Sequence, residues 1–589
     1  MSLLPFAARA LVAARLRAIS AFSAVFVLWL LFELPLAIRP DGLAIRGLRF
    51  TGDFLVLLTA YFLLRRRRGE RILRRVWVVL MASLVFVRVD WTVSWLITRT
   101  RPLFYDQLFL IRHLVVLVSD LWSGPVALGL VGLVLGVVLT VVIARALSRV
   151  GRAAFEPPLR RPFGYALGVA WCAIVVLTFV GAKAGADGPL ARWMFPELVV
   201  NVRESYRTYR DVREAIVDSP YDVYKSIRLF RRPNVSFFFV ESYGKVIADS
   251  PDLAKRFTPR LARIERSFDR DGWHMVSGFC TAPVSGGRSW LAVGSIFMGT
   301  PVRYESVFRH LVGASPRVPS IPQFFAGEGY QTIGLEPSDR VRAGVEDVNY
   351  YHLARQIRFD DLHYTGKAIG WGLVPDQYAL GYANNNVLGT AVEPRFFMFH
   401  MVSSHMPWSV VPTIVNDWRT LGDPEGQGVW DAHSEEQTLR QHLHTMWARL
   451  ARYGRDELHQ LSKPPSFDKD LRQRYVDTVL YDLSLIERQL VTERGDELVI
   501  VMGDHQPPAV TSDGESFDVP VHVFARDPAL LAEFVDRGFA PGLALDAKTP
   551  PVVEHAGLFS LLVRDLVRVQ PSAPPLPRYL PHGVSFTKG

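Results

Sequence analysis

The first third of the chain is a succession of long apolar stretches. The remainder alternates short apolar runs with amphipathic ones. Five stretches approach the length of about 20 residues that crosses a bilayer: Ile19–Ile38, Phe50–Leu64, Val76–Ile97, Pro125–Leu147 and Phe163–Ala182. They predict an α-helical membrane domain over 1–184. Residues 197–230 are polar with helical spacing, which predicts a stalk within 185–231, ended by Arg231-Arg232-Pro233.

Beyond that point strand and helix patterns alternate, the mark of a largely parallel sheet. Val235–Val240, Gln331–Leu335, Phe396–Val402, Glu497–Met502 and Val519–Ala525 read as strands. Arg260–Phe268, Ser289–Met298, Ile321–Ala326 and Leu471–Thr492 read as helices. The expected fold is a helical membrane domain followed by a C-terminal α/β domain over 232–570. A polar insertion between Val410 and Asp470 is a candidate cap whose histidines (His433, His442, His444, His459) read as solvated, and 571–589 reads as an irregular tail.

Charge fixes an orientation. The formal net charge is +10, which could suggest nucleic acid, but the basic residues sit in short loops between apolar stretches. They fall at Arg9, Arg15 and Arg17, at Arg65 to Arg75, and at Ser148 to Arg161. That is the positive-inside pattern of an integral membrane protein. With five spans it places the N-terminus inside and everything after about residue 184 outside, so the α/β domain is extracytoplasmic and no nucleic acid is expected. A cleaved leader is not expected, because further spans follow the first. Phe104–Trp122 reads as an interfacial or re-entrant helix, since a sixth span would break the charge topology. Arg88 and Asp90 lie within the third stretch and read either as a pair near the outer interface or as a lipid headgroup or entry site. Cys172 and Cys280 offer no disulfide framework.

The candidate chemistry sits where predicted strands and turns end. LVIVMGDHQP stops an apolar strand at Gly503 and follows it with Asp504 and His505. Val235–Val240 runs into Glu241-Ser242-Tyr243-Gly244, and Phe396–Val402 runs into Ser403-Ser404-His405. A glycine-containing loop, Thr281 to Arg288, opens a helix at Ser289. Open α/β sheets place ligands outside the carboxyl ends of their strands. A helix N-terminus favours an anion. Glu241, Asp504, His505 and the Ser289 hydroxyl form an N/O donor set suited to Mn²⁺, Zn²⁺ or Mg²⁺. A metal there would activate Ser289 as a nucleophile and stabilise a transferring phosphoryl or sulfuryl group. Taken singly, each of these residues reads more simply as a cap, a turn or a structural histidine.

Six segments carry a resemblance: NVSFFFVESYG, SGGRSWLAVGSIFMG, IPQFFAGEGYQT, WGLVPDQY, FFMFHMVSSHMPW and VMGDHQPP. In these the chain resembles the alkaline phosphatase superfamily, in the membrane-anchored, sulfatase-like branch of lipoteichoic acid synthase and phosphoglycerol transferases. The resemblance implies that Glu241, Asp504 and His505 bind one divalent metal ion, Mn²⁺ foremost, with Ser289 as ligand and nucleophile. His405 matches a histidine near the substrate phosphoryl group, and with Arg288 it is a candidate for substrate binding. The implied reaction moves a phospho-headgroup from a membrane phospholipid donor to a glycan or lipid acceptor. The implied location is a bacterial cytoplasmic (inner) membrane. A hydrolase using the same site is the alternative, and a degenerate scaffold is a third reading. Two departures limit the likeness. EPSDRVRAGVEDVNYY after Leu335 lacks the His, Trp and Arg pattern that holds glycerophosphate in lipoteichoic acid synthase, with Glu336, Asp339, Arg340 and Arg342 as candidate replacements. The formylglycine signature Cys-x-Pro-x-Arg is also missing at Cys280, which leaves Thr281 and Ser285 as minor alternatives to Ser289.

Overall fold

The computed structural model describes residues 6–39, 42–43, 50–64, 69–98, 102–107, 125–155, 157–183, 191–214, 220–313, 320–340, 349–367, 374–391, 394–406, 408, 410–423, 469–511, 516–572 and 574–584. Most of the Phe104–Trp122 segment, most of the insertion before Asp470 with its histidines, and Arg342 lie outside the described residues. The chain divides into two compact units, residues 1–96 with 101–207, and 97–100 with 208–589.

The first unit holds helices α1 (Phe6–Ala37), α2 (Gly52–Leu64), α3 (Glu70–Thr98), α4 (Pro125–Phe155) and α5 (Pro157–Lys183), followed by α6 (Met194–Glu214), which crosses the unit boundary. Among the described residues, three segments are long and apolar enough to cross a membrane: Arg15–Pro35, Val134–Arg152 and Leu159–Val176. The expected count of five is therefore not established. Helix α2 has 13 residues, about 20 Å at 1.5 Å per residue, short of a hydrocarbon core of about 30 Å. Helix α3 is long but carries Arg88 and Asp90. These two do not pair with each other. Residues two apart on a helix face different ways, and each finds its own partners. Buried Arg88 lies 3.8 Å from the Glu33 carboxylate and donates to the carbonyl of Phe32 (2.7 Å) and to Thr51 Oγ1 (3.1 Å). Asp90 accepts from Gln107 (3.1 Å).

The second unit is built on a nine-stranded mixed sheet. Its strands are β1 (Asn234–Val240), β2 (His274–Thr281), β3 (Gln331–Glu336), β4 (Arg355–Arg358), β5 (Arg395–Met401), β6 (Glu497–Gly503), β7 (Asp518–Ala525), β8 (Ala540–Pro541) and β9 (Val553–Glu554). Their order is β8-β2-β7-β6-β1-β5-β3-β4, with β9 beside β2. The run β6-β1-β5-β3-β4 is parallel, and β7 runs antiparallel to both of its neighbours.

The central strands are largely apolar because both faces are covered, as parallel sheets require. In β1, Val235, Phe237 and Phe239 enter one core and Phe238 and Val240 the other. Helix α8 (Ser289–Met298) packs on the first face through Leu291, Ala292, Ile296 and Phe297. Helices α7 (Pro251–Arg270) and α10 (Lys469–Leu490) cover the second, through Phe257, Leu261, Tyr475 and Val479. Helix α9 (Asp376–Asn386) joins the second face, and α11 (Leu558–Arg568) joins the first.

The junction of β6 with the following turn is tight. A Cβ on Gly503 would lie 1.9 Å from the Tyr243 carbonyl oxygen, so glycine alone lets the turns after β1 and β6 meet. Gly503→Ala is expected to destabilise the second unit by about 3 kcal/mol, the upper range of overpacking. Denaturant unfolding of the purified protein measures this.

Candidate metal centre and nucleophile

Strand alternation aims the candidate residues at one place. Phe239 lies beside Met502 on one side and His400 on the other, and Phe239 and Met502 face the core that holds α8. Glu241 and Asp504 follow two residues later, on the same side by the period of two. Helix α8 brings Ser289 to them. The loop before it turns through Gly286 and Gly287, at φ of 74° and 62°, where a Cβ would be strained. Arg288 is the buried N-cap residue of α8, and Ser289 is the first residue of the helix.

Donor atoms converge there. Ser289 Oγ donates to Glu241 Oε2 at 3.0 Å and lies 3.2 Å from His505 Nε2. His505 Nε2 lies 3.4 Å from both Glu241 Oε1 and Asp504 Oδ2. Glu241, Asp504 and His505 are all buried, and one donor atom from each lies within 4.8 Å of the others. The surroundings orient each group. Asp504 Oδ1 accepts from the backbone N–H groups of Ser242 (2.8 Å) and His505 (2.7 Å). Ser242 sits at φ 58°, a strained left-handed turn for a non-glycine residue, and its hydroxyl donates to Glu241 Oε1 (2.9 Å). His505 Nδ1 lies 3.0 Å from the Gln506 carbonyl, which leaves Nε2 to face the cluster.

These residues fit a divalent cation. Two carboxylates and an imidazole buried within touching distance are unstable as bare charges. Asp504 Oδ2, fully buried, has no hydrogen-bond partner among the described residues, although Oδ1 of the same carboxylate has two. That orphan atom faces His505 and His400. Burial alone would raise the Asp504 pKa, yet His505 and His400 hold it below the ordinary carboxylate range. A single ion would use Glu241, Asp504, His505 and the Ser289 oxygen, and the N/O character suits Mn²⁺, Zn²⁺ or Mg²⁺.

The sequence reading had left out His400. Its Nε2 lies 3.8 Å from both Glu241 Oε2 and Asp504 Oδ2 and has no hydrogen-bond partner among the described residues. Burial would lower its pKa, but Asp504 and Glu241 raise it. The available signal was a lone imidazole inside FFMFHMV, at an inward position of an otherwise apolar strand. His405, by contrast, stands in the turn after β5, with Nδ1 2.5 Å from the Met406 carbonyl. Thr281 gives its hydroxyl to Asp518 (2.8 Å). At the end of β3, Glu336 accepts from Gln356 (3.1 Å). Burial, helped by Asp339, pushes its carboxyl up to about 7, and the charge of His400 acts on it too. The guanidinium of Arg340 stacks 3.8 Å over the Phe359 ring.

Sheet order and donor cluster define the class: an α/β unit with a candidate metal centre and an adjacent hydroxyl at the carboxyl ends of parallel strands, in a chain whose helical unit holds segments long and apolar enough to cross a membrane. The chain is similar to several solved structures. The lipoteichoic acid synthase LtaP from Listeria monocytogenes is 13% identical, over 52% of this chain and 70% of that one, with a TM-score of 0.31. The integral membrane lipooligosaccharide phosphoethanolamine transferase A from Neisseria meningitidis is 11% identical, over 91% of this chain and 94% of that one, with a TM-score of 0.44. A protein in the alkaline phosphatase superfamily from Vibrio parahaemolyticus is 15% identical, over 51% of this chain and 61% of that one, with a TM-score of 0.31. No family model matches the chain, and no curated protein matches it. Likenesses this distant leave the chemistry to be argued from the residues themselves.

Proposed function

We propose that the protein is a metal-dependent transferase that moves a phospholipid-derived phospho-headgroup, phosphoglycerol-like in class, to a glycan or lipid acceptor through a covalent Ser289 intermediate. The observation that carries this reading is the Ser289 hydroxyl, held between Glu241 and His505 at the head of α8. A hydroxyl with only a structural role would cap its helix or meet solvent. This one sits inside a donor set for a cation.

Ser289 Oγ attacks the phosphorus of the donor phosphodiester. The bond to the diacylglycerol oxygen breaks, diacylglycerol leaves with the proton that the serine hydroxyl gives up, and the headgroup phosphate remains esterified to Ser289. Glu241 Oε2 already accepts the hydroxyl proton in a hydrogen bond and fixes the direction of the oxygen lone pairs. The α8 N-terminus turns its free N–H groups toward the anionic headgroup. Arg288 and His405 are the substrate-binding candidates beside it. An acceptor hydroxyl then attacks the phospho-serine and releases Ser289. A divalent cation, when bound by Glu241, Ser289, Asp504 and His505, supplies positive charge at the phosphoryl oxygens and lowers the pKa of the serine hydroxyl.

The span-forming helices agree with a lipid-borne donor, and the loop charges with a catalytic unit on the outer side of a bacterial cytoplasmic membrane. With water as acceptor the same residues would run a hydrolase. Following a headgroup-labelled phospholipid in membranes that contain the protein separates the two. Label appearing on a membrane or glycan fraction is expected. Release into solution alone would make it a hydrolase.

A further inference from the structure

The WGLVPDQY segment supplies none of the donor atoms above, yet its aspartate lies at the foot of the site. Asp376 opens α9 and is fully buried. Its carboxylate accepts three backbone bonds from the turn after β5. Val402 N–H reaches both oxygens, at 3.0 and 2.9 Å, and Ser403 N–H reaches Oδ2 at 2.7 Å. The Asp376 N–H donates in return to Ser403 Oγ (3.1 Å). Against this carboxylate lies a second one, Asp482 of α10, also fully buried. Among the described residues no N–H or O–H donor reaches either oxygen of Asp482 in hydrogen-bonding geometry, although Ser404 and the Asp376 carboxylate face it.

Two carboxylates in contact in a dry interior cannot both ionise. The two N–H donors, Val402 and Ser403, assign the charge to Asp376 and the proton to Asp482. Burial first, and Asp376 second, raise the Asp482 pKa well above the ordinary range, while burial raises that of Asp376 against its backbone donors. The titratable neighbour on α10 is Tyr481, whose hydroxyl is itself pushed up by burial and by both carboxyls.

What the pair holds matters more than the pair. The turn it grips continues into Ser404, whose hydroxyl donates to the backbone carbonyl of Glu241 at 2.7 Å. The Ser404 carbonyl accepts from Trp408 Nε1 at 2.6 Å. His405 follows. One side of this turn is fixed by Asp376 and the other is bonded to the residue that presents a carboxylate to the metal cluster.

We propose that Asp376 and Asp482 form a proton-sharing carboxyl pair that positions the Val402–His405 turn, and through Ser404 the end of the strand that carries Glu241. Both are positioning residues; neither is placed against the reacting atoms. The catalytic consequence rests on the function proposed above, whereas the shared proton and the grip on the turn do not.

The sign of the pH effect follows. A carboxyl raised by folding keeps its proton in the native state, so the native state binds more protons than the unfolded one between the ordinary and the raised pKa. Stability from this pair is complete below the ordinary carboxyl range and declines as pH rises toward the raised value. Above that value both groups are charged and the turn loosens.

Three readouts on the full-length protein in detergent test this. The infrared difference between wild type and Asp482→Asn at neutral pH is expected to show the carbonyl band of a protonated buried carboxyl. Amide exchange of the peptide containing 402–405 is expected to rise with pH more steeply than base catalysis alone in wild type, and not in Asp482→Asn, which keeps a neutral donor. With bis(4-nitrophenyl) phosphate as probe, Asp482→Asn is expected to keep kcat/KM within about threefold at pH 7 and to lose the alkaline decline. Asp482→Leu, which removes the donor, falls about tenfold or more, the effect of about 1.4 kcal/mol. Absence of the carboxyl band, or identical exchange profiles in wild type and Asp482→Asn, overturns the proposal. A wild type that shows the band and the exchange effect but does not turn over the probe contradicts the assigned chemistry and upholds the pair.

Discussion

Ser289→Ala is expected to lower the proposed headgroup turnover by about 10³-fold or more while leaving the second unit folded. The size of the effect comes from the position of the hydroxyl. Ser289 is the first residue of a helix that is buried from Leu291 to Met298, so the backbone stays in place when the oxygen is removed. Glu241 and His505 keep their mutual contact at 3.4 Å. What disappears is the one oxygen that faces both of them. Ser289→Thr, which keeps the hydroxyl, is expected to retain a measurable part of the activity. Equal loss in both variants would mean that packing at the helix start, and not the hydroxyl, sets the rate. The measurement is kcat on a headgroup-labelled phospholipid, with circular dichroism as the check on folding.

Asp504→Ala is expected to weaken divalent-metal binding by about 100-fold or more and to remove activity with it. Losing a residue that merely orients a ligand costs 10- to 100-fold, and Asp504 is proposed as a ligand. Its Oδ1 is tied by two backbone N–H groups and its Oδ2 is buried without a partner. The alanine therefore removes a negative charge already aimed into the cluster. His400→Ala is expected to cost less, because its Nε2 lies 3.8 Å from the carboxylates rather than among the converging donors. Metal content after dialysis, followed by titration with Mn²⁺, Zn²⁺ and Mg²⁺ in turn, measures both variants. Full occupancy in Asp504→Ala would remove that residue from the donor set.

Much of the second unit was legible because its core strands are apolar on both faces and end abruptly in polar residues. VSFFFV, FFMFHM and ELVIVM became β1, β5 and β6 with boundaries shifted by a residue or two, and Ser289–Met298 was a helix at its predicted bounds. Strand β2, HMVSGFCT, was not read as a strand. Its serine, glycine and cysteine lack the β-branched and aromatic signal, and their reason is packing: a Cβ on Gly278 would crowd Phe539 and Val552 at 3.2 Å. The antiparallel direction of β7 was not legible either, since direction depends on a connection that local pattern does not encode. In the first unit, the stretch over residues 50–64 was the shortest of the five, and the helix there has 13 residues.

The site divides in the same way. Glu241, Ser289, Asp504 and His505 could be named because each stands where an apolar run ends. His400 was hidden one row inside its strand, where an imidazole looks like a core residue. Asp376 and Asp482 were hidden more thoroughly. They lie more than one hundred residues apart in sequence, and only packing brings the two carboxyls together.

The most direct test of the central claim is the intact mass of the purified, metal-loaded protein, quenched during turnover of a phospholipid donor and then mapped by peptide. The expected result is an increase equal to one phospho-headgroup, located on the peptide that contains Ser289 and absent from Ser289→Ala. An unmodified wild type during confirmed turnover, or the same adduct on Ser289→Ala, would contradict covalent transfer through this serine.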